Sequence, residues 1–188
     1  MAREIRVFEP LDVEQAIDVF NSQFGDNYIS KKLLLSYLEN DQAVCIICKD
    51  QEEILGVSIA VIDSLEKTSK QLLKDQYWFL SELKDSQKIA LRKHMAVKPG
   101  YKGKGIGSLL VQESVNRLKT ISDKIITIVW KEGDGEIMNK LMTKNNFEAI
   151  KIIQDYWKED SIQQQYICPE CKGIPCGCSA IIYASKRM

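Results

Sequence analysis

The sequence predicts a mixed α/β fold with a strand–turn–helix unit at its centre. Two observations predict it: segments with strand patterning alternate with segments whose apolar residues recur at helical spacing, and a basic, glycine-rich run lies between one strand and one helix. At 188 residues, with 45% apolar and 28% charged residues, the chain is typical of a single globular domain. No repeat or low-complexity linker marks a boundary, so we expect one domain over residues 1–188.

The N-terminal half is predicted to contain a strand, two helices and a hairpin. The segment "REIRVF" alternates until Pro10, helical spacing follows over 13–24, and Ser30 can cap a second helix. The segments "AVCIICK" and "ILGVSIAVI" flank the polar turn "KDQEE", which predicts a β-hairpin. The long charged region 64–88 is predicted to be a helical insertion of one or two helices.

The C-terminal half is predicted to contain four strands. "IALRKHMAV" ends before Pro99, a helix follows from about Gly105 to Thr120, and "KIITIVW" is the next strand. Asp134 is a candidate cap for a further helix. "FEAIKIIQ" and "AIIYASK" are the last two strands, with a cysteine-rich loop at about 166–178 between them.

Charge and hydropathy narrow the function classes. Lys and Arg number 26, as do Asp and Glu, so no overall field favours nucleic acid or an acidic surface. The N-terminal segment "MAREIRVFEP" has no apolar core, so it is not a signal peptide, and no apolar run reaches membrane-spanning length. The expectation is a cytoplasmic protein with reduced thiols and neither nucleic acid nor a membrane as partner.

The run "KPGYKGKGIGSLL" predicts a site for a phosphate group. The first amides of a helix lack partners inside the helix, and the helix dipole adds positive charge there. Glycines let phosphate oxygens approach the backbone, while Lys102 and Lys104 add charge. The P-loop pattern fails because Ile106 follows Gly105, and the glycine spacing also excludes the dinucleotide fingerprint. The alternative is a merely flexible turn before a helix.

This central unit resembles the acetyl-CoA-binding motif of the GNAT superfamily of N-acetyltransferases. The matching stretch is "HMAVKPGYKGKGIGSLLVQESV", and the order of elements resembles the family from the first strand to about Ile153. The resemblance implies a GNAT-like central mixed, mostly antiparallel sheet flanked by helices. Lys102 stands where the family usually has Arg or Gln, a change with little consequence because backbone amides do most of the binding.

The same resemblance implies acetyl-CoA as co-substrate and an amine as acetyl acceptor. The end of the fourth strand is expected to pair with the pantetheine arm, and the turn and helix start are expected to bind the pyrophosphate. The expected cofactor-binding residues are Met95, Ala96, Val97, Lys102, Gly103, Lys104, Gly105, Ile106, Gly107 and Ser108.

His94 is the candidate general base. It is the only histidine, it directly precedes the expected CoA-contacting segment, and an unperturbed imidazole titrates near neutral pH. Lys98 and the C-terminal tyrosines are weaker candidates, and the alternative is a histidine satisfied within the sheet. Many family members carry a tyrosine that acts as the general acid at the position of Met142 in this chain. Methionine cannot donate a proton. Tyr156 and Tyr183 are acids only if the fold brings them to the cleft.

The segment "CPECKGIPCGC" predicts a metal site. Four cysteines in this spacing suit a tetrahedral thiolate site, and structural zinc is the favoured occupant. Two disulfides, an iron–sulfur cluster and free thiols are the alternatives. Cys45 and Cys48 lie three apart on an apolar strand, so they face opposite sides and are expected to be buried. The expected metal ligands are Cys168, Cys171, Cys176 and Cys178.

The leading interpretation is therefore an N-acetyltransferase acting on a small-molecule or peptide amine of unknown identity. The second is a catalytically silent acyl-CoA-binding module whose zinc-stabilised loop docks a partner, and Met142 favours it. A redox or metal sensor on the same fold is the third. A second copy of the chain is a further candidate partner, as a homodimer.

Overall fold

A seven-stranded sheet organises the parts of the chain that the computed structural model describes, which are residues 3–26, 28–131 and 135–186. The strands are β1 Glu4–Val7, β2 Ala43–Asp50, β3 Glu53–Ser64, β4 Lys88–Val97, β5 Lys124–Trp130, β6 Phe147–Ile153 and β7 Ala180–Ser185. The helices are α1 Val13–Phe24, α2 Lys31–Leu38, α3 Leu65–Ser69, α4 Gln76–Glu82, α5 Ile106–Leu118, α6 Glu136–Lys144 and α7 Lys158–Gln164.

The sheet is mostly antiparallel, as predicted. Its strand order is β1-β2-β3-β4-β5-β7-β6, and among these described strands β4 and β5 alone run parallel. A parallel pair needs a crossover, and α5 supplies it with the glycine-rich turn at its start. The predicted hairpin of β2 and β3 is confirmed, with a register shift at Cys48/Lys49.

The parallel strands part before they end. β4 pairs with β5 from Ile89 to Arg92, yet β4 continues to Val97 and β5 continues to Trp130. On its other side β4 pairs with β3 through a register shift at Ile59/Ala60, so a bulge bends β4 at this point. The main chain of β4 after Arg92 consequently faces a gap toward β5, at the same end of the sheet as the glycine-rich turn.

Two apolar layers cover the sheet. On one face α1 and α2 bury side chains such as Phe20 and Leu34 against β2 and β3, while α3 and α4 pack on β4, β5 and β7 nearby. On the other face α5 and α6 bury Val111, Leu118 and Met142. Ser30 caps α2 as predicted, its hydroxyl accepting a bond from Leu33 N–H.

Sequence patterning missed one helix. The region 64–88 contains two short helices, within the prediction, but α7 was not predicted. Its sequence, KEDSIQQ, has no apolar periodicity, and it is ordered by neighbours such as Cys176, whose N–H donates to Ser161 Oγ at 2.9 Å. The predicted cap Asp134 lies outside the described residues. No helix in the described part of the chain is long and apolar enough to cross a membrane.

Candidate functional site

The glycine-rich turn leaves β4 and opens directly into α5. A 3-10 turn spans Pro99–Tyr101, and Gly105 is the N-cap residue of the helix. Gly103 and Gly105 have φ angles of +74° and +84°, and a Cβ added at either would meet no atom within 4 Å. Both glycines are therefore needed for backbone conformation, and both border open space that a ligand can fill. The free amides of the first turn of α5 point out of the same turn.

Side chains from distant segments hold this turn in place. The Glu53 carboxylate at the start of β3 pairs with Lys98 Nζ and accepts a bond from Tyr101 Oη at 2.9 Å. Arg3 donates to the Lys104 carbonyl at 2.5 Å, and Lys104 Nζ lies 4.8 Å from the centre of the Tyr101 ring. The roles of Glu53 and Arg3 were not predicted from the sequence, because neither residue is near the turn in the chain.

The remaining residues expected to bind the cofactor lie at the end of β4 and at the start of α5. Met95 and Val97 pack toward Ile106 and the α5 face of the sheet, whereas Ala96 packs on the α1 face. Gly107 lies beside Leu141 of α6, and a Cβ added at Gly107 would lie 3.7 Å from Leu141 Cδ2. The strand end, the turn and the helix start thus form one continuous surface beside the gap between β4 and β5, which includes exposed Lys102 and half-buried Ser108.

His94 lies on the α1 face, enclosed by aromatic rings. Tyr28 Oη is 3.3 Å from Nδ1 and Tyr37 Oη is 3.1 Å from Nε2, so both ring nitrogens are hydrogen-bonded. Phe20 approaches edge-on, with ring centres 6.0 Å apart. The imidazole is therefore fixed in orientation, and one of its nitrogens is an acceptor for a tyrosine hydroxyl.

Burial lowers the pKa of His94 to about 3, and the positive charge of Lys93 acts in the same direction. The residue is only half-buried, but both of its ring nitrogens are hydrogen-bonded to tyrosine hydroxyls. The ring is thus neutral throughout the physiological range. Its ionisation lies well below the near-neutral value on which the interpretation of His94 as a base relied.

Met142 is fully buried on α6, where it packs with Phe147 and Tyr183. Tyr183 lies on the same face, and its hydroxyl donates to Asn139 Oδ1 at 3.4 Å. Tyr156 lies on the opposite face, where its Oη accepts a bond from Leu73 N–H at 3.2 Å. Of the two tyrosines considered as acids, Tyr183 alone shares the face of Met142.

The four C-terminal cysteines converge on one point. Their sulfurs all lie within 4.8 Å of one another, with separations of 3.3, 3.7 and 3.9 Å for three of the pairs. A zinc ion with sulfur ligands at about 2.3 Å places neighbouring sulfurs about 3.8 Å apart. The thiols therefore have the spacing of a tetrahedral metal site, and the described cysteines are free of disulfides.

Main-chain amides support this sulfur cluster. Cys171 N–H approaches Cys168 Sγ at 3.5 Å, and Gly177 N–H approaches Cys171 Sγ at 3.4 Å. Such donors stabilise thiolates around a metal. Trp130 and Trp157 pack against the buried cysteines. The cluster is thereby attached to the end of β5.

Cys45 and Cys48 take no part in this cluster. Both are buried in β2, where Cys45 packs with the α1 layer and Cys48 packs with the α5 layer. Their predicted orientation to opposite faces of the sheet is confirmed.

The cysteine-rich loop borders the gap between β4 and β5. A cleft of about 250 Å³ is lined by Ser22 of α1, Lys102 of the glycine-rich turn, Trp130 of β5 and Glu170 of the loop. On the α1 side, Tyr28 contacts both His94 and Tyr166, with ring centres 5.8 and 5.9 Å apart. The cleft, His94 and the cysteine cluster therefore occupy one end of the sheet.

Comparison with known proteins agrees with this arrangement. The chain resembles the E. coli ribosomal-protein-S18-alanine N-acetyltransferase, with 16% identity and a TM-score of 0.66 over 98% of this chain and 93% of that one. It also resembles Arabidopsis thaliana NAA60 in complex with a bisubstrate analogue, with 13% identity and a TM-score of 0.70 over 97% of each chain. An acetyl-CoA complex of NAA60 has the same TM-score at 12% identity, again over 97% of each chain.

No curated protein sequence is significantly similar to the chain. The model of the acetyltransferase (GNAT) family, however, matches residues 13–147, which include β4, the glycine-rich turn and α5. The chain belongs to the GNAT family and is an N-acetyltransferase.

Proposed function

We propose that this chain, acting as a single domain over residues 1–188, moves the acetyl group of acetyl-CoA to a small-molecule or peptide amine. The glycine-rich turn carries this proposal. Its amides would bind the pyrophosphate over residues 102–107, and the open space at Gly103 and Gly105 leaves room for the phosphate oxygens. The contacts of Glu53 and Arg3 support the binding by preorganising the turn.

The pantetheine arm would extend from this turn into the gap between β4 and β5. There the main chain of Met95–Val97 is free on the β5 side within the described residues, so it can pair with the amides of the arm. The thioester carbonyl would lie at the strand end, where a main-chain N–H can stabilise the tetrahedral oxyanion. The acceptor amine would then attack from the α1 side.

The acceptor would enter through the cleft between the glycine-rich turn and the cysteine-rich loop. His94 is the candidate proton acceptor on this side, reached through the hydroxyls of Tyr28 and Tyr37. A ring with so low a pKa does not store the proton. In this proposal one ring nitrogen takes a proton from one tyrosine hydroxyl as the other ring nitrogen passes its own proton to the second hydroxyl, from which a proton leaves toward solvent. The rate profile of the enzyme should accordingly lack a His94 ionisation between pH 5 and 8.

We further propose that Cys168, Cys171, Cys176 and Cys178 hold one structural zinc ion. The sulfur spacing supports a tetrahedral site, and four protein ligands leave no position for a substrate. Reduced thiols of this kind suit the cytoplasm. The zinc would fix the loop that borders the acceptor cleft. Its role would be structural, and it would take no part in acetyl transfer.

Calorimetry with acetyl-CoA tests the cofactor site. The wild type should bind acetyl-CoA, and Gly105→Val should abolish binding because its side chain fills the open space beside the amides. Gly100→Val is the control for added bulk alone, since a Cβ at Gly100 also meets no atom within 4 Å but lies outside the amide cradle. Thermal unfolding of both variants controls for the strain of Val at the φ angle of +84° of Gly105. Equal affinity of Gly105→Val and wild type would contradict the position of the site.

Release of CoA thiol in a panel of amine acceptors tests catalysis. Acetylated product with at least one amine supports the transferase. The buried Met142, which cannot donate a proton, favours the alternative of a silent acyl-CoA-binding module. Tight binding of acetyl-CoA without CoA release for any amine or peptide in the panel would support that alternative.

A further inference from the structure

Arg92 is a buried cation without a counterion in the part of the chain that the structure describes. Its residue exposure is 3%, and its side chain contacts Ser114 Oγ at 3.4 Å and Met95 Sδ at 3.2 Å. No described carboxylate lies within ion-pair distance of it. Burying an unpaired charge is costly, so a guanidinium in this setting indicates a missing anionic partner.

The location of Arg92 identifies the space for that partner. Arg92 and Thr127 form the last pair of β4 with β5 before the two strands part. Arg92 faces α5, because it bonds to Ser114 of that helix, and it touches Met95, the first residue of the strand end proposed to bind pantetheine. The cation thus lies at the vertex of the gap into which the thioester end of CoA would reach.

The position at which many family members carry the acid holds no proton donor in this chain. Met142 occupies that position and packs in the same apolar cluster as Met95. Tyr183 is next in register to Thr127 on this face, but its hydroxyl is bonded to Asn139. The other titratable groups of this part of β4, Lys93 and the neutral His94, contact Tyr37 and therefore lie on the opposite face.

We propose that the Arg92 guanidinium stabilises the thiolate of CoA as it leaves, in place of a proton donor. The inference rests on the proposed acetyl transfer. The amine nitrogen attacks the thioester carbonyl carbon, the tetrahedral intermediate collapses, and the C–S electron pair moves to sulfur. The amine proton passes to the α1 side, Arg92 keeps its own protons, and water protonates the thiolate after it leaves the site.

Arg92 suits a charge role because it stays protonated. Burial lowers its pKa to about 10, which is still above the physiological range. A fixed cation in a site closed to water stabilises developing negative charge strongly and needs no reorganisation during the reaction. Met95, which contacts Arg92, packs against the same apolar cluster as Met142, so one side of this position is apolar.

The titration of bound CoA tests the inference without a known acceptor. Calorimetry would compare the affinities of CoA and acetyl-CoA from pH 6.5 to 9.5, since acetyl-CoA has no free thiol and reports any general effect of pH. With the cation beside the sulfur, CoA should gain affinity relative to acetyl-CoA as pH rises, by about tenfold for each unit of lowered thiol pKa. Arg92→Gln should remove this gain, and Arg92→Lys should retain part of it.

Several results would overturn the inference. If the ratio of the affinities of the wild type for CoA and for acetyl-CoA is independent of pH, the inference is overturned without any variant, and the proposed function stays intact. Loss of the gain in Tyr183→Phe but not in Arg92→Gln assigns the role to Tyr183. A preference of more than tenfold for succinyl-CoA over acetyl-CoA that Arg92→Gln removes assigns the cation to an acyl carboxylate. Absence of binding by both CoA and acetyl-CoA overturns the proposed function and this inference together.

Discussion

The glycine-rich turn and the cysteine-rich loop are both short consecutive runs, but they present different atoms to a ligand. The turn offers main-chain amides, shaped by the positive φ angles of Gly103 and Gly105. The loop offers four side-chain sulfurs within 4.8 Å of one another. A backbone site tolerates exchange of side chains that leave its conformation unchanged, whereas a side-chain site depends on every ligand.

The supporting contacts follow the same division. Around the turn, Glu53 and Arg3 act on Lys98, Tyr101 and the Lys104 carbonyl, so they fix the course of the backbone. Around the loop, amides donate to sulfurs and tryptophans pack against them, so they fix side chains. Loss of one cysteine side chain should therefore impair the loop site severely, whereas loss of one exposed side chain of the turn should weaken ligand binding only mildly.

The largest effect is expected from Cys178→Ser in the loop. Loss of one thiolate should reduce zinc from one per chain to a small fraction, and should lower the free energy of unfolding by about 4 kcal/mol, or the Tm by about 8–16 °C. Metal analysis and thermal unfolding would measure both. Wild-type zinc should also fall at low pH, because protons compete for the thiolates.

Cys48→Ala is the matched control for this prediction. Cys48 is fully buried in β2 and should lose packing energy while zinc stays at one per chain. Zinc far below one per chain in the wild type, with all four C-terminal thiols reactive toward Ellman's reagent, would show that the loop is not a metal site as isolated.

The next largest effect is expected where the loop contacts α1. Gly25 follows α1 with a φ angle of +98°, and an added Cβ would lie 2.3 Å from the Ile167 carbonyl oxygen. Gly25→Ala therefore meets backbone and adopts an unfavourable conformation, so it should cost about 3 kcal/mol of unfolding free energy. Denaturant unfolding would measure the loss.

Gly100→Ala serves as the control for Gly25→Ala, since its Cβ enters open space and its φ is not positive. Its stability should match that of the wild type or exceed it slightly. If Gly25→Ala is as stable as Gly100→Ala, the loop does not dock on α1 as the structure has it.

The sequence predicted these two regions because each is encoded locally. The spacing of glycines after a strand and the spacing of four cysteines are visible without any fold. Arg92 and Tyr183 were different, because their neighbours Ser114, Met95 and Asn139 come from other elements of the chain. Only the pairing of β4, β5 and β7 brings these groups onto one face.

The environment of His94 was hidden for the same reason. Its position on β4 was correctly predicted, but two tyrosines from other elements enclose it. Tyr28 lies between α1 and α2, and Tyr37 lies on α2. Their effect on the pKa depends on packing across the sheet. The α7 helix likewise carries no local periodicity, so its neighbours determine it.

A smaller effect is expected from pH, through His94, which lies between the two regions. Its pKa is about 3 in the folded chain and near 6.5 when unfolded, so between these values the unfolded state binds more protons. The free energy of unfolding therefore falls as pH drops below 6.5, by about 2 kcal/mol at pH 5. His94→Gln cannot titrate and should lack this loss.

Denaturant unfolding at pH 8 and pH 5, with zinc in excess, would compare the two proteins. Both carry the same cysteine-rich loop, so its own sensitivity to acid cancels in the difference. Identical losses of stability in wild type and His94→Gln would contradict an enclosed, neutral imidazole.

The smallest effect is expected from Lys102→Ala in the turn. Lys102 is exposed and stands where the family usually has Arg or Gln, but the amides are the proposed ligands, so loss of its charge should weaken acetyl-CoA binding only about threefold to fivefold. The loss should shrink at high salt, where surface charges are screened. Calorimetry at two ionic strengths would measure it, with Lys119→Ala at the far end of α5 as control. A loss as complete as that expected for Gly105→Val would mean that a side chain, and not the backbone, holds the pyrophosphate.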